Sequence, residues 1–190
     1  MSSTNAAQVL LAAGSAGHAA LVCGDDTLSH AELRGQVART AALWRARGLQ
    51  PGARIAIKLP DGFDWVIAFL GTLWAGMVAV PVNPRVPAAE WQAMLDEAGF
   101  SLILVDGSDD VPAPWSTRTL QIGALQRELL SPTLVPVDAC PVDADAAAFW
   151  CHSSGTSGKP KAVMHAHRFA DRIEQVSREG LGIRGDDRCV

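Results

Sequence analysis

The sequence predicts an α/β fold in which a largely parallel sheet carries helices on both faces. Segments with helical periodicity alternate along the chain with short apolar segments of strand character. Gly and Pro residues mark the turns between these segments. The 190 residues are 48% hydrophobic, which is enough for a packed core. These observations favour a layered α/β domain.

Each element is predicted from its own periodicity and end signals. The helix that begins after Ser29 has a capping box with Glu32, and Gly48 ends it after Arg47. Residues 107–114 and 131–145 are rich in Asp, Pro and Ser, so we expect loops or a subdomain joint there. Residues 21–23 and 27–28 are predicted to bracket a turn at 24–26. Helices are predicted at residues 5–14, 29–47, 62–75 and 88–98, and strands at 54–59, 77–82, 101–105, 146–151 and 162–167.

The uncharged stretch from residue 65 to 82 has the length at which a membrane span becomes a candidate. Gly76 interrupts this stretch and Pro81 ends it, and its second half has strand character. The helix at 62–75 is apolar on both sides, as a helix between two layers would be. We therefore predict a buried helix followed by a buried strand, and no membrane span.

Composition excludes some classes of function. The net charge is −4 and there is no run of Lys or Arg, so the sequence offers no electrostatic footprint for nucleic acid. The four Cys residues form no CxxC pair, and the N-terminus has no pattern of a secretion signal. The reducing cytoplasm is the predicted location.

One segment, residues 153–161, has the chemistry of a phosphate-binding loop. Two glycines let the backbone bend so that successive amides point at an anion, and hydroxyl and ammonium groups add donors for phosphate oxygens. The predicted phosphate-binding residues are Ser153, Ser154, Gly155, Thr156, Ser157, Gly158, Lys159 and Lys161.

This loop is not of the Walker A type. That pattern requires Gly where Ser153 stands and Ser or Thr where Pro160 stands, and Pro160 has no amide hydrogen to donate. The Rossmann glycine spacing is also absent. Strands are predicted on both sides of the loop, so we expect it to join two strands instead of opening a helix.

Residues 153–161 resemble the signature loop of the ANL superfamily of adenylate-forming enzymes, Ser/Thr-Ser-Gly-Thr-Thr/Ser-Gly-x-Pro-Lys-Gly. All nine positions match, and Ala162 stands where the family has Gly. Residues 28–33 resemble an earlier family element, with His30 in place of Tyr, and residues 73–84 resemble its helix-to-strand segment. The three elements occur in family order, so the chain resembles a partial N-terminal adenylation domain over residues 1–190.

The resemblance implies an acyl- or aryl-CoA ligase that uses Mg²⁺, ATP and coenzyme A to activate a small carboxylic acid. Residues near the loop favour the benzoate-CoA-ligase type, whereas an adenylation domain of a peptide synthetase or a non-catalytic nucleotide-binding module are the alternatives. The family's catalytic residues are expected downstream, so none is assigned in this chain. The chain alone is therefore expected not to form adenylates, and to self-associate through apolar surface that the rest of the enzyme would cover.

Other residues allow rival interpretations. His165 and His167 could share a zinc ion with Cys151 or His152, but the spacing is not that of a zinc site, so no metal ligand is assigned. Cys151 beside His152 lacks the third group that a thiol nucleophile needs. As the family resemblance implies, His167 is instead expected to pack or hydrogen-bond beside the loop. Separately, Lys58 and Arg85 are expected to be surface charges, and the Trp residues to pack in the core.

Overall fold

The computed structural model describes residues 4–12, 14–107, 111–153, 161–184 and 187. Short 3₁₀- and π-helical segments, Ala113–Arg118 and Val176–Gly180, supplement the main elements. The helices are α1 Ala6–Ala12, α2 His30–Ala46, α3 Phe63–Trp74, α4 Ala88–Ala98, α5 Ile122–Leu129 and α6 Phe169–Gln175, and the strands are β1 Ala19–Cys23, β2 Asp26–Ser29, β3 Arg54–Lys58, β4 Val78–Pro81, β5 Leu102–Val105, β6 Thr119–Gln121, β7 Ala147–Ser153 and β8 Lys161–Ala166.

A six-stranded sheet with the order β6-β5-β3-β4-β7-β8 forms the centre of the fold. Its strand pairs are parallel except for β7 and β8, which are antiparallel. Strands β1 and β2 form a separate antiparallel hairpin. The predicted fold class, an α/β fold with a largely parallel sheet, is confirmed.

Helices cover both faces of this sheet. Successive residues of a strand point to opposite sides, so each central strand buries side chains under both helical layers. Ile55 and Ile57 pack in the cluster that includes residues of α1, α2, α3, α5 and α6. Ala56, which lies between them, packs in a second cluster with α4 residues such as Trp91 and Leu95. Among the described elements, the sheet is therefore the middle layer, with α1, α2, α3, α5 and α6 on one face and α4 on the other.

Helix α2 begins with the predicted capping box. The Glu32 amide donates to the Ser29 hydroxyl oxygen at 3.3 Å, and the Ser29 amide donates to the Glu32 carboxylate at 2.9 Å. Hydrogen bonds from the Ser29 side chain and backbone lower the pKa of Glu32. At the other end, Gly48 has φ +80° and its amide donates to the Arg45 carbonyl at 2.9 Å. Both end signals in the sequence are confirmed.

The uncharged stretch at 65–82 is a buried helix followed by a buried strand, as predicted. Helix α3 packs against α2 on one side and joins the cluster that covers the sheet on the other. Strand β4, which follows it, lies between β3 and β7. Within the described part of the chain, no helix is both long and apolar enough to cross a membrane.

The structure contains elements that have no clear signal in the sequence. Helix α6 and the elements between residues 113 and 129 are too short to show a decisive periodicity. The predicted loop at 131–145 lies along the helical face. There, Arg39 donates to the Leu134 carbonyl at 2.8 Å and Trp74 Nε1 donates to the Val137 carbonyl at 2.8 Å.

One charge prediction is wrong. Lys58 is only 6% exposed, because it ends β3, which lies between β4 and β5 with helices on both faces. Arg85 is exposed, as predicted. Three of the Trp residues, Trp44, Trp74 and Trp91, are buried in the two core clusters, in agreement with the packing role expected for them.

Candidate phosphate-binding site

The candidate loop joins two strands of an antiparallel hairpin. Ser153, the last residue of β7, is the register partner of Lys161, the first residue of β8. The chain must therefore leave and re-enter the sheet at neighbouring points, as the sequence predicted. A Walker A loop would instead lead from a strand into a helix.

The hairpin places this loop at the carboxyl edge of the parallel strands. Strand β7 runs parallel to β4, with Phe149 opposite Ala79, so Ser153 lies at the same edge as the carboxyl ends of β3, β4 and β5. Ligands of open α/β sheets bind at this edge. The loop therefore has a position typical of a ligand-binding segment.

Aromatic contacts fix the base of the hairpin. The Phe149 ring stacks on the His165 ring, with centroids 4.4 Å apart, and meets Phe169 edge to face at 5.0 Å. On the opposite face, the Arg54 guanidinium lies over the Trp150 ring at 5.1 Å. These contacts pack β7 against β8 and α6 on one face and against Arg54 of β3 on the other.

The hairpin emerges from the core toward its tip. Cys151 is exposed, as are the first four residues of β8, and Val163 and Met164 are 48% and 67% exposed. Among the described strands of the sheet, β8 has a neighbour on one side only. Residue 151 and residues 161–164 are thus accessible to a ligand or to further protein.

Of the predicted site residues, the structure brings Ser153 and Lys161 together as strand partners. Lys161 has an exposed side chain at the start of β8. The remaining predicted phosphate-binding residues, Ser154, Gly155, Thr156, Ser157, Gly158 and Lys159, lie outside the described residues.

The environment of Cys151 does not favour a thiol nucleophile. Partial desolvation by neighbouring groups raises the pKa of the Cys151 thiol, although the residue is exposed, and it lowers the pKa of the half-buried His152. A thiolate–imidazolium pair requires the opposite shifts. In addition, neighbouring residues of a strand point to opposite faces, so these two side chains diverge.

The two histidines of the zinc alternative have other contacts. His165 stacks on Phe149, and Nδ1 of the fully buried His167 accepts a hydrogen bond from the Ala6 amide at 3.1 Å. In the ranges that the structure describes, no group of three or more His, Cys, Asp or Glu side chains is arranged to hold a metal ion. The contact between His167 and Ala6 was not predicted, because α1 and His167 are far apart in sequence.

Acidification is expected to destabilise the fold through His167 and His152. Burial lowers the pKa of both imidazoles, whereas an unfolded chain has the ordinary value of about 6.5. Below that pH the unfolded chain binds more protons than the folded chain, so the free energy of unfolding decreases as the pH falls. Urea unfolding between about pH 7.5 and pH 5.5, above the range of ordinary carboxylates, measures this.

The matched variant carries Asn at positions 152 and 167 and should have a flatter pH profile. A wild-type free energy of unfolding that stays constant or rises on acidification over this range would contradict the assignment of neutral, buried imidazoles.

Comparisons with known proteins agree on one family. The sequence profile of the AMP-binding enzyme family matches residues 11–188. The 3-hydroxybenzoate–CoA/4-hydroxybenzoate–CoA ligase of Thauera aromatica is 31% identical over 200 residues, which cover 94% of this chain and 37% of that protein. Syringomycin synthase SyrB1 of Pseudomonas syringae pv. syringae is 31% identical over 163 residues, covering 85% and 26%.

A solved structure extends the likeness to the fold. The o-succinylbenzoate CoA synthetase MenE of Bacillus subtilis, in complex with the acyl-adenylate intermediate OSB-AMP, superposes with a TM-score of 0.83 at 25% identity. The match covers 97% of this chain and 48% of that one. The chain spans about a third of the length of the CoA ligases it matches.

Proposed function

Because the chain belongs to the AMP-binding enzyme family, we propose that residues 153–161 bind the β- and γ-phosphates of ATP in a carboxylate-activating ligase. The register pairing of Ser153 with Lys161 at the carboxyl edge of the sheet carries this proposal. The residues between them supply glycine amides, hydroxyls and an ammonium group, which are donors for phosphate oxygens.

In the proposed reaction, a carboxylate oxygen attacks the α-phosphorus of ATP and the bond to pyrophosphate breaks. The products are an acyl-adenylate and pyrophosphate. Donors in the loop would stabilise the negative charge that develops on the departing pyrophosphate. A thiol then attacks the carbonyl carbon and displaces AMP. In the CoA-ligase form of the reaction, this thiol is that of coenzyme A.

The donor set of the loop suits phosphate better than a metal ion. It has four hydroxyls and two lysines but no carboxylate, which is the usual protein ligand of Mg²⁺. The phosphates of ATP would bring the Mg²⁺, and a loop hydroxyl could add one ligand. The chemistry that Mg²⁺ supplies when bound is neutralisation of the charge on the phosphates.

We propose an aromatic carboxylic acid as the substrate and coenzyme A as the acceptor. The names of the hydroxybenzoate– and benzoate–CoA ligases that match 93% or more of the chain support this choice. The match to SyrB1 supports the second candidate, an adenylation domain of a peptide-synthetase system. Thioester formation on free coenzyme A by the longer protein would favour the first candidate, and transfer only to a carrier protein would favour the second.

Four further proposals concern the chain itself. We predict that residues 1–190 are part of an adenylation domain and that this chain alone forms no adenylates. We also predict a cytoplasmic location. Self-association is supported by a concentration of exposed apolar side chains near the C-terminal end of the described chain. These side chains belong to Val163, Met164, Ile173, Val176 and Leu181.

Replacing Lys159 and Lys161 together by alanine is expected to weaken Mg·ATP binding by about tenfold to a hundredfold. A hydrogen bond to a charged group contributes about 1.5–3 kcal/mol, which corresponds to a factor of about ten to a hundred in affinity. Because Lys161 is exposed, its own contribution should lie near the lower limit of this range. Isothermal titration calorimetry on the 190-residue chain measures the change.

The matched control replaces Arg127 by alanine, because Arg127 is an exposed cation of α5, which follows β6 at the opposite end of the sheet from β8. This control removes one positive charge and is expected to leave the affinity of the chain for Mg·ATP unchanged. If the double variant bound Mg·ATP as tightly as the wild type, the proposed phosphate site would be wrong. Hydrolysis of ATP by the wild-type chain would instead favour an ordinary ATPase.

A further inference from the structure

His167 connects the hairpin of the candidate loop to the first helix. It directly follows β8 and is 0% exposed. Its amide donates to the Ala146 carbonyl at 3.0 Å, next to the start of β7, and its Nδ1 accepts the Ala6 amide at 3.1 Å. The imidazole therefore bridges the base of the hairpin and the first turn of α1.

The same turn of α1 has a second buried anchor, Asn5. Its side-chain oxygen accepts the Ala7 amide at 3.1 Å, and its side-chain nitrogen donates to the Leu73 carbonyl at 2.7 Å and the Cys140 carbonyl at 3.0 Å. Asn5 is 2% exposed. Through this turn, His167 is coupled to the end of α3 and to the segment that crosses the helical face.

The hydrogen bond to Ala6 fixes the protonation of His167. A neutral imidazole that accepts at Nδ1 carries its proton on Nε2. Nε2 is buried and has no hydrogen-bond partner within the described structure. The unpaired Nε2 donor is costly to bury, so it does not stabilise the fold. The hydrogen bond accepted at Nδ1 is the polar contact through which the His167 side chain contributes.

We propose that His167 is a positioning residue for the phosphate-binding loop, acting by tying the strand that leaves the loop to α1. Strand β8 is the rigid connection, since it is paired with β7 from Lys161 to Ala166. Loss of the Nδ1 contact should loosen the base of the hairpin and so the geometry at its tip. The effect on nucleotide affinity rests on the proposed function, whereas the coupling between α1 and β8 does not.

Three substitutions of His167 separate this role from simple packing. Asn places an oxygen near the position of Nδ1, Gln places its amide near the position of Nε2, and Ala has neither. All three leave space in the core and should lower the melting temperature. His18→Ala is the control, because His18 is exposed and lies far from the hairpin in sequence.

Hydrogen–deuterium exchange of the α1 and β8 amides is the first readout, and Mg·ATP affinity is the second. His167→Ala and His167→Gln should accelerate exchange in both elements and weaken Mg·ATP binding by about tenfold, the factor that corresponds to one lost hydrogen bond. His167→Asn should stay within about threefold of the wild type in both measurements. The control should change neither.

Nitrogen-15 NMR of the imidazole gives an independent check, with Nδ1 expected to be unprotonated at neutral pH. A protonated Nδ1, or an Asn variant that behaves like the Gln and Ala variants, would overturn the proposal. Failure of the wild-type chain to bind Mg·ATP would refute the proposed function of the loop, and the exchange data would still decide whether His167 positions the hairpin.

Discussion

Replacing Gly76 by alanine is expected to lower the free energy of unfolding by about 2–5 kcal/mol, the sum of a backbone and a packing effect. Gly76 has φ +75°, a left-handed conformation that costs an L-residue with a side chain about 1–2 kcal/mol. It ends α3 in a Schellman motif, in which the Gly76 amide donates to the Leu73 carbonyl and the Met77 amide to the Thr72 carbonyl.

The packing effect arises because the connecting segment, residues 131–145 between α5 and β7, crosses directly over Gly76. A Cβ atom there would lie 2.9 Å from Cys140 Sγ and 3.1 Å from Val142 Cγ1. Crowding of this kind typically costs about 1–3 kcal/mol. Urea unfolding followed by circular dichroism measures the total.

Gly24→Ala is the matched control for this substitution. Gly24 has φ +60° but no atom within 4 Å of an added Cβ, so only the backbone cost of about 1–2 kcal/mol applies. Equal destabilisation by the two substitutions would show that the connecting segment does not pack on the end of α3 as the structure has it.

Replacing Gly71 by alanine is expected to destabilise the protein by about 1–3 kcal/mol, although alanine favours helix by about 1 kcal/mol. Gly71 lies where α3 approaches α2 most closely. An added Cβ would be 2.6 Å from both Thr40 Cβ and Thr40 Cγ2, and 3.3 Å from the Val37 carbonyl oxygen. The two helices would have to separate, and packing across the helical layer would be lost.

A glycine without this contact should respond in the opposite direction. Gly35 lies within α2, and an added Cβ there meets no atom within 4 Å. Gly35→Ala should therefore raise the free energy of unfolding by up to about 1 kcal/mol. If Gly71→Ala also stabilised the protein, the close approach of α2 and α3 would be wrong.

The elements that could be predicted from the sequence are those specified by local signals. The capping box of Ser29 and Glu32 fixes the start of α2, and Gly48 fixes its end. The interruption at Gly76 correctly divided the uncharged stretch into a helix and a strand. Likewise, residues of strand character on both sides of position 155 were enough to predict a loop between two strands.

Features that depend on distant residues could not be predicted in this way. Burial of Lys58 follows from the strand order, which places β3 between β4 and β5. The anchoring of α1 by Asn5 and His167 joins residues more than a hundred positions apart. Neither has a periodic or spacing signal in the sequence, since both arise only when the layers are assembled.

Titration of the nitrogen-15-labelled chain with Mg·ATP, followed by amide NMR, tests the binding of the nucleotide's phosphates most directly. The account predicts that the largest shifts occur at the amides of residues 153–159 and 161, including Gly155 and Gly158, and that pyrophosphate competes for the same site. Shifts centred elsewhere in the chain, or a loop that does not respond to saturating nucleotide, would contradict it.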